Sequence, residues 1–104
     1  MTSILDRHRE RFQATPGDNR AFEALEEHSF LAGDWGEVIA LYEHRLTAPA
    51  LAVNRKELAQ VRFRMGQVYQ ERLEDSDRAI GCFTAVLQDD PGNRQALAQL
   101  RRAH

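Results

Sequence analysis

The chain has 104 residues, of which 42% are hydrophobic and 29% are charged, a composition typical of one small globular domain. Its net charge of −2 gives no overall positive field, so we expect neither nucleic acid nor a membrane surface as a partner. The single cysteine, Cys82, excludes an intramolecular disulfide and cannot alone build a cysteine-rich zinc site. Because no apolar run suits a signal peptide or a membrane span, we expect a cytoplasmic protein.

Three helices are predicted in the first half of the chain from apolar periodicity and end signals. The first covers residues 3–14 and stops at a Pro-Gly pair, and the second covers residues 19–32 and stops at Gly33. The third covers residues 35–46, and Pro49 follows it as a helix-ending residue. Each helix carries an apolar stripe, so each needs a neighbour to cover that stripe.

Three further helices are predicted in the second half. The fourth begins at a capping signal at Asn54, and residues 50–53 before it fit either a loop or an early turn of helix. The fifth starts at Asp75-Ser76 and ends before Pro91, and a short sixth covers residues 94–103. No segment alternates apolar and polar residues over the length of a strand, so we expect an all-α fold.

Sliding the sequence against itself reveals a repeat with an offset of 75 positions. The match covers a Pro-Gly turn and the helices on both sides of it, from Leu5 opposite Ile80 to Leu25 opposite Leu100. Self-similarity at a fixed offset predicts stacked helical units, and short loops make successive helices antiparallel. The pairs around the turn are Gln13 with Gln88, Pro16 with Pro91, Gly17 with Gly92, Ala21 with Ala96, and Phe22 with Leu97.

The segment from Met65 to Tyr69, followed by Ala79, Phe83 and Pro91, resembles the signature of the tetratricopeptide repeat. That signature places a Gly-x-x-Tyr run before an alanine, a phenylalanine four residues later and a closing proline. In such a hairpin the glycine lets two helices approach closely, and the aromatic rings fill the seam between them. The resemblance is good over about residues 58–91.

Residues 19–46 resemble a degenerate repeat, with Glu26 in place of the glycine and Ser29 in place of the tyrosine. In the better repeat, Arg62 stands where the family favours tryptophan, so neighbouring residues must supply part of that packing. The first and last helices resemble half-repeats, which are either caps of a self-contained unit or a sample of a longer array. The resemblance implies one all-α domain over residues 1–104, a right-handed solenoid of antiparallel hairpins with six helices.

Members of this family mostly bind a peptide or helix of another protein in a concave groove, which implies a protein-interaction scaffold without a cofactor. Phe30 and Phe63 are the expected apolar anchors and Arg64 the charged contact, although a core role fits the two rings equally well. Arg20, Glu23 and Glu27 also fit a solvated helix face. The alternative is a homo-oligomerising spacer that uses apolar end faces. The groove positions are Arg20, Glu23, Glu27 and Phe30 in one hairpin, and Gln60, Phe63, Arg64, Gln67 and Gln70 in the next.

We expect neither catalysis nor a metal site, because the histidines, including His104, never fall at the i,i+4 spacing that places two ligands on one helix face. His8 stands opposite Phe83 in the repeat and is expected to be packed, and Cys82 is expected to act as a small hydrophobe. The locally basic ends offer a surface for nucleic acid, but solvated helix faces fit the overall negative charge better. These basic residues are Arg7, Arg9, Arg11, Arg94, Arg101 and Arg102.

Overall fold

The computed structural model describes residues 3–103, which form helices and no strand, and this confirms the all-α prediction. The longest helix has 17 residues, and none of the described helices is long and apolar enough to cross a membrane. The helices are α1 (Ile4–Ala14), α2 (Asn19–Ala32), α3 (Trp35–Arg45), α4 (Pro49–Val53), α5 (Arg55–Glu71), α6 (Ser76–Asp89) and α7 (Arg94–Ala103).

The described residues contain seven helices, so the predicted number of six is wrong. The additional helix is α4, in the stretch where the sequence fits either a loop or a helix. Pro49 is its first residue, a position that suits proline because its fixed φ matches a helix and its missing N–H is not needed there. Leu51 anchors the helix through its buried side chain, and its N–H donates to the Ala48 carbonyl at 3.0 Å. Pro49 therefore follows the end of α3 and also begins α4.

The contacts between Cα atoms divide the chain into two compact units. Unit 1 extends to Val53 and contains α1 to α4, and unit 2 begins at Asn54 and contains α5 to α7. The single repeat domain, the hairpin arrangement and the handedness of a solenoid stay predictions.

Polar caps start the helices of unit 1. The Ser3 hydroxyl accepts the N–H of Asp6 at 3.1 Å while the Asp6 carboxylate accepts the N–H of Ser3, which makes a capping box. Asp18 and Asp34 each accept the N–H three residues further on, at 3.0 and 3.1 Å. Gly33 ends α2 with a φ of 69°, a left-handed conformation that suits a residue without a Cβ. These local signals explain why the predicted bounds of α1, α2 and α3 agree with the structure to within one residue.

An aromatic cluster joins α1, α2 and α3. The ring centroid of Phe12 lies 5.7 Å from that of Phe22 and 4.9 Å from that of His44, and the Phe22 and Tyr42 centroids are 6.0 Å apart. The Nε2 atom of His44 lies 2.9 Å from the Phe12 carbonyl oxygen. Because a carbonyl can only accept, Nε2 carries the hydrogen and donates it. The cluster and this hydrogen bond fix the end of α3 against the end of α1.

Arg45 is a charged residue in the interior of unit 1, with 6% of its surface exposed. Its guanidinium donates to the Pro16 carbonyl oxygen at 2.9 Å and to the Asn19 side-chain oxygen. It also lies 4.7 Å above the centroid of the Phe22 ring, where the negative ring face attracts the cation. Arg45 therefore holds the end of α3 against the turn that leads into α2, a role that no local sequence pattern predicts.

The contact between α5 and α6 dominates unit 2. A Cβ placed on Gly66 would lie 2.6 Å from Cε1 of Phe83, and the rings of Phe63 and Phe83 are 5.4 Å apart. Glycine is thus required for the observed approach of the two helices. Arg62, at the position where the family favours tryptophan, donates to the Asp89 carboxylate at 2.6 Å and links the same two helices by an ion pair.

The turn between α6 and α7 matches the turn between α1 and α2 in the dihedral angles of its first residue and in its hydrogen bonds. Thr15 has φ −137° and ψ 87°, and Asp90 has φ −142° and ψ 82°. The N–H of Asp18 donates to the Thr15 carbonyl at 3.0 Å, and the N–H of Asn93 donates to the Asp90 carbonyl at 3.0 Å. The side chains of Asp18 and Asn93 then cap α2 and α7 at 3.0 and 2.9 Å. The 75-position repeat of the sequence is therefore also a repeat of local structure.

Candidate functional site

Four of the predicted groove residues lie on α2 in unit 1, and all four are exposed. Phe30 has 39% of its surface exposed, and its ring meets the ring of Trp35 edge-on, with the centroids 5.1 Å apart. One side of the Phe30 ring is thus packed while another remains open to a partner. The four residues are Arg20, Glu23, Glu27 and Phe30.

The other five predicted residues lie on α5 in unit 2. Gln60 and Arg64 are exposed, and Phe63, Gln67 and Gln70 are half-buried. The ring of Phe63 serves both interpretations that the sequence left open, because one part packs in the seam of the helix pair while another part remains accessible. The side-chain oxygen of Gln70 is buried without a hydrogen-bond partner among the described residues.

A pocket of about 260 Å³ opens beside Phe63, between the first half of α5 and the turn that leads into α7. The structure brings two predicted residues, Gln60 and Phe63, together in this pocket, whereas Arg64, Gln67 and Gln70 do not line it. The α2 residues belong to unit 1 and are not part of it. The lining residues are Lys56, Ala59, Gln60 and Phe63 from α5, and Asp90, Asn93 and Gln95 from the turn and α7.

The chemistry of this pocket combines an apolar ring with amides and charges of both signs. Asn93 is fixed in place, because its side-chain oxygen caps Ala96 at 2.9 Å and its amide nitrogen donates to Asp90 at 3.3 Å. Lys56 and Gln95 are exposed at its edge. These four polar residues are not among the predicted groove residues. One signal in the sequence could have indicated this part of the site. Asn93 follows the second Pro-Gly pair as a capping residue, and it marks the position where α7 begins.

A second pocket, of about 400 Å³, lies between α1 and α2 in unit 1. It is largely apolar, and two of its residues, Ile4 and Leu31, have 73% and 83% of their surfaces exposed. His8 is half-buried, as its position opposite Phe83 predicts, and its Nδ1 is buried without a hydrogen-bond partner among the described residues. Glu27 is the predicted groove residue that lines this pocket. The remaining lining residues are Leu5, Ala24 and His28.

Among residues 3–103, no three histidine, cysteine, aspartate or glutamate side chains are placed so that they could hold a metal ion together. Cys82 is half-buried on α6. His104 lies outside the described residues. That the chain has neither an enzymatic activity nor a cofactor stays a prediction.

No protein-family model matches this chain, and no curated protein matches it. The resemblance to the tetratricopeptide repeat therefore rests on the residues of the sequence itself.

Proposed function

We propose that this chain is a protein-interaction module of the tetratricopeptide kind, which holds an extended peptide of a partner protein and catalyses no reaction. The observation that carries the proposal is the pocket beside Phe63, where an apolar ring, side-chain amides and charges of both signs line one depression. In this proposal the pairs α2–α3 and α5–α6 are hairpins of a right-handed solenoid, and the protein works in the cytoplasm without a cofactor.

The contact between Gly66 and Phe83 supports the family assignment. The resemblance gives the glycine and the phenylalanine one task, which is to let two helices approach and to fill the seam between them. The structure has that geometry, with the Phe83 ring closer to Gly66 than any Cβ would allow. Gly66 and Phe83, which both belong to the quoted signature, thus pack against each other in the way that the signature implies.

The side chains of the pocket suit an extended peptide backbone. Side-chain amides both donate and accept, so Gln60 and Gln95 can pair with the C=O and N–H groups that an extended peptide exposes. Phe63 offers an apolar surface for one side chain of the peptide. Lys56 and Asp90, of opposite charge, give the pocket a means to favour one peptide sequence over another. The remaining predicted residues of α5 are further contacts for a longer ligand, and the four predicted residues of α2 stay a separate prediction for unit 1.

Selection of short random peptides displayed on phage, with the chain as bait, tests this proposal. We expect enriched peptides, and we expect the Gln60→Ala, Gln95→Ala double variant to bind them at least about tenfold more weakly, because both amides line the pocket. The matched control is Gln88→Ala, an exposed glutamine on α6 outside the pocket. Fluorescence anisotropy gives the affinities, and far-UV circular dichroism shows whether each variant remains helical.

Two results would contradict the proposal. Either no peptide is enriched, or the enriched peptides bind the double variant as tightly as they bind the original chain. In the alternative function, self-association, the apolar pocket of α1 and α2 is covered by another molecule, and the exposure of Ile4 and Leu31 is the observation in its favour. A light-scattering mass that rises with protein concentration supports that alternative, and a constant monomer mass excludes it.

A further inference from the structure

Helix α7 carries an exposed stripe with an apolar residue between two cations, which we call the α7 stripe. Its members, Arg94, Leu97 and Arg101, are spaced so that they share one face of the helix. The two arginines are exposed, and Leu97 has 39% of its surface exposed. Helix α7 contains three arginines and no acidic residue, so nothing within the helix balances the charge of the stripe.

The internal repeat identifies the equivalent face in unit 1. At an offset of 75 positions, the three residues of the α7 stripe correspond to Asn19, Phe22 and Glu26 on α2. The turns before α2 and α7 share the dihedral angles of their first residue and the same capping hydrogen bonds, so the two helices begin in the same way. What packs on this face of α2 therefore shows how a helix can pack on the α7 stripe.

In unit 1 that face is covered by α3. The hydroxyl of Tyr42 donates to the Glu26 carboxylate at 2.5 Å, and the guanidinium of Arg45 donates to Asn19. Between these two polar contacts lies Phe22, which has only 4% of its surface exposed. A covering helix on this face thus makes one apolar contact flanked by two polar ones. In both polar contacts the donor lies on α3 and the acceptor lies on α2.

We propose that the α7 stripe is a docking site for an acidic amphipathic helix of a partner protein, which packs on α7 as α3 packs on α2. Arg94 replaces the acceptor Asn19, and Arg101 replaces the acceptor Glu26, so the polar groups on this side are now donors only. The docked helix must then present carboxylates where α3 presents Arg45 and Tyr42, with an apolar residue against Leu97. Paired guanidinium and carboxylate groups form the stronger, charge-assisted kind of hydrogen bond.

Charge decides between this occupant and a second copy of the chain. In a second copy, the exposed apolar residue Ile4 lies on α1, but α1 also carries Arg7, Arg9 and Arg11, which would repel the arginines of the α7 stripe. The phosphates of a nucleic acid could pair with the arginines, but its polar sugar-phosphate backbone would then lie against the apolar side chain of Leu97. An acidic helix satisfies all three members of the stripe. None of the three residues of the α7 stripe lines the peptide pocket, so this proposal does not depend on that pocket.

A synthetic α3 peptide provides the probe. A peptide with the sequence of residues 34–46 of this chain, altered by Tyr42→Glu and Arg45→Glu, should bind the full chain, and the unaltered peptide should bind at least about tenfold more weakly. The Arg94→Glu, Arg101→Glu variant of the chain should lose the acidic peptide by at least about tenfold, and Leu97→Ala should also weaken it. The control is Arg102→Glu, an exposed arginine of the same helix outside the stripe, which should bind the acidic peptide much as the original chain does.

The binding should weaken as salt is added, because exposed ion pairs are screened. Four results overturn the proposal: equal binding of the two peptides, no binding of either, an Arg102→Glu variant that loses as much affinity as the stripe variant, or tighter binding of duplex DNA than of the acidic peptide. Concentration-dependent mass that disappears in the stripe variant would assign the stripe to self-association and overturn it as well. Because these variants leave Gln60 and Gln95 unchanged, failure here is distinct from failure of the peptide pocket.

Discussion

At Gly66, the missing side chain of one residue sets the distance between α5 and α6. The atoms that a Cβ would meet belong to the ring of Phe83, which is fully buried and cannot turn away. A second glycine, Gly81, lies on the exposed side of α6, where an added Cβ meets nothing within 4 Å. The two positions therefore separate the effect of packing from the general effect of glycine on a helix.

We expect Gly66→Ala to lower the free energy of unfolding by about 1–3 kcal/mol, because an added methyl group in a filled seam forces the helices apart. Gly81→Ala should leave it unchanged or raise it by up to about 1 kcal/mol, because alanine is the better helix former. Urea unfolding followed by circular dichroism gives both values. Equal effects of the two substitutions would show that the close approach of the helices is not what makes Gly66 necessary.

Other residues show where the sequence was informative and where it was not. The family pattern indicated that residues near Arg62 must supply the packing that a tryptophan would give there. It did not indicate the ion pair of Arg62 with Asp89, because that pair joins two helices and cannot be predicted from either helix alone. In the sequence, nothing distinguishes Arg45 from any other basic residue at a helix end. Its burial depends on partners 26 and 29 positions earlier, which no local pattern specifies.

At the scale of elements, the repeated corner is the clearest link between sequence and structure. Both copies contain a Pro-Gly pair, a capping residue and an alanine three positions after the cap, and in both the alanine is fully buried. Asp18 and Asn93 are the two caps. Because their acceptors satisfy N–H groups that have no partner inside the helix, each cap determines where its helix begins.

Removing either cap should cost about 1 kcal/mol of stability. We expect Asp18→Ala and Asn93→Ala to have effects of similar size, since the two hydrogen bonds have nearly the same length. Asp18→Asn and Asn93→Ser keep an acceptor at the cap and should retain most of the stability. Thermal unfolding of the four variants measures this. If the alanine and the acceptor-retaining substitutions are equally harmful, the caps do not explain the helix starts.

At the scale of the whole molecule, the balance of charges limits the partners. Sixteen acidic residues against fourteen lysines and arginines oppose binding to nucleic acid, although α1 and α7 are each locally basic. The arginines of α1 are partly engaged, since Arg9 lies 3.5 Å from the Asp6 carboxylate. Local clusters of this kind on a negatively charged molecule are poor sites for a polyanion.

We therefore expect no saturable binding of duplex DNA at protein concentrations up to about 100 μM in physiological salt. Any affinity for DNA would then be weaker than the non-specific affinity of ordinary DNA-binding proteins. Fluorescence anisotropy with a labelled duplex, repeated at low and high salt, is the measurement. Tight binding with a steep salt dependence, lost when Arg7, Arg9 and Arg11 are changed to glutamate, would show that the basic face of α1 outweighs the net charge.

The sequence by itself determined the helical class and most helix bounds, because caps, turn residues and apolar spacing act within about four residues of each other. It also supplied the Gly66 and Phe83 pair through a family signature, and the repeated corner through self-comparison. Only the tertiary structure placed Lys56 and Gln95 in one pocket, buried Arg45, and left Leu97 exposed between two arginines. These outcomes depend on which helix packs over which residue, and that is decided by contacts between side chains far apart in the chain.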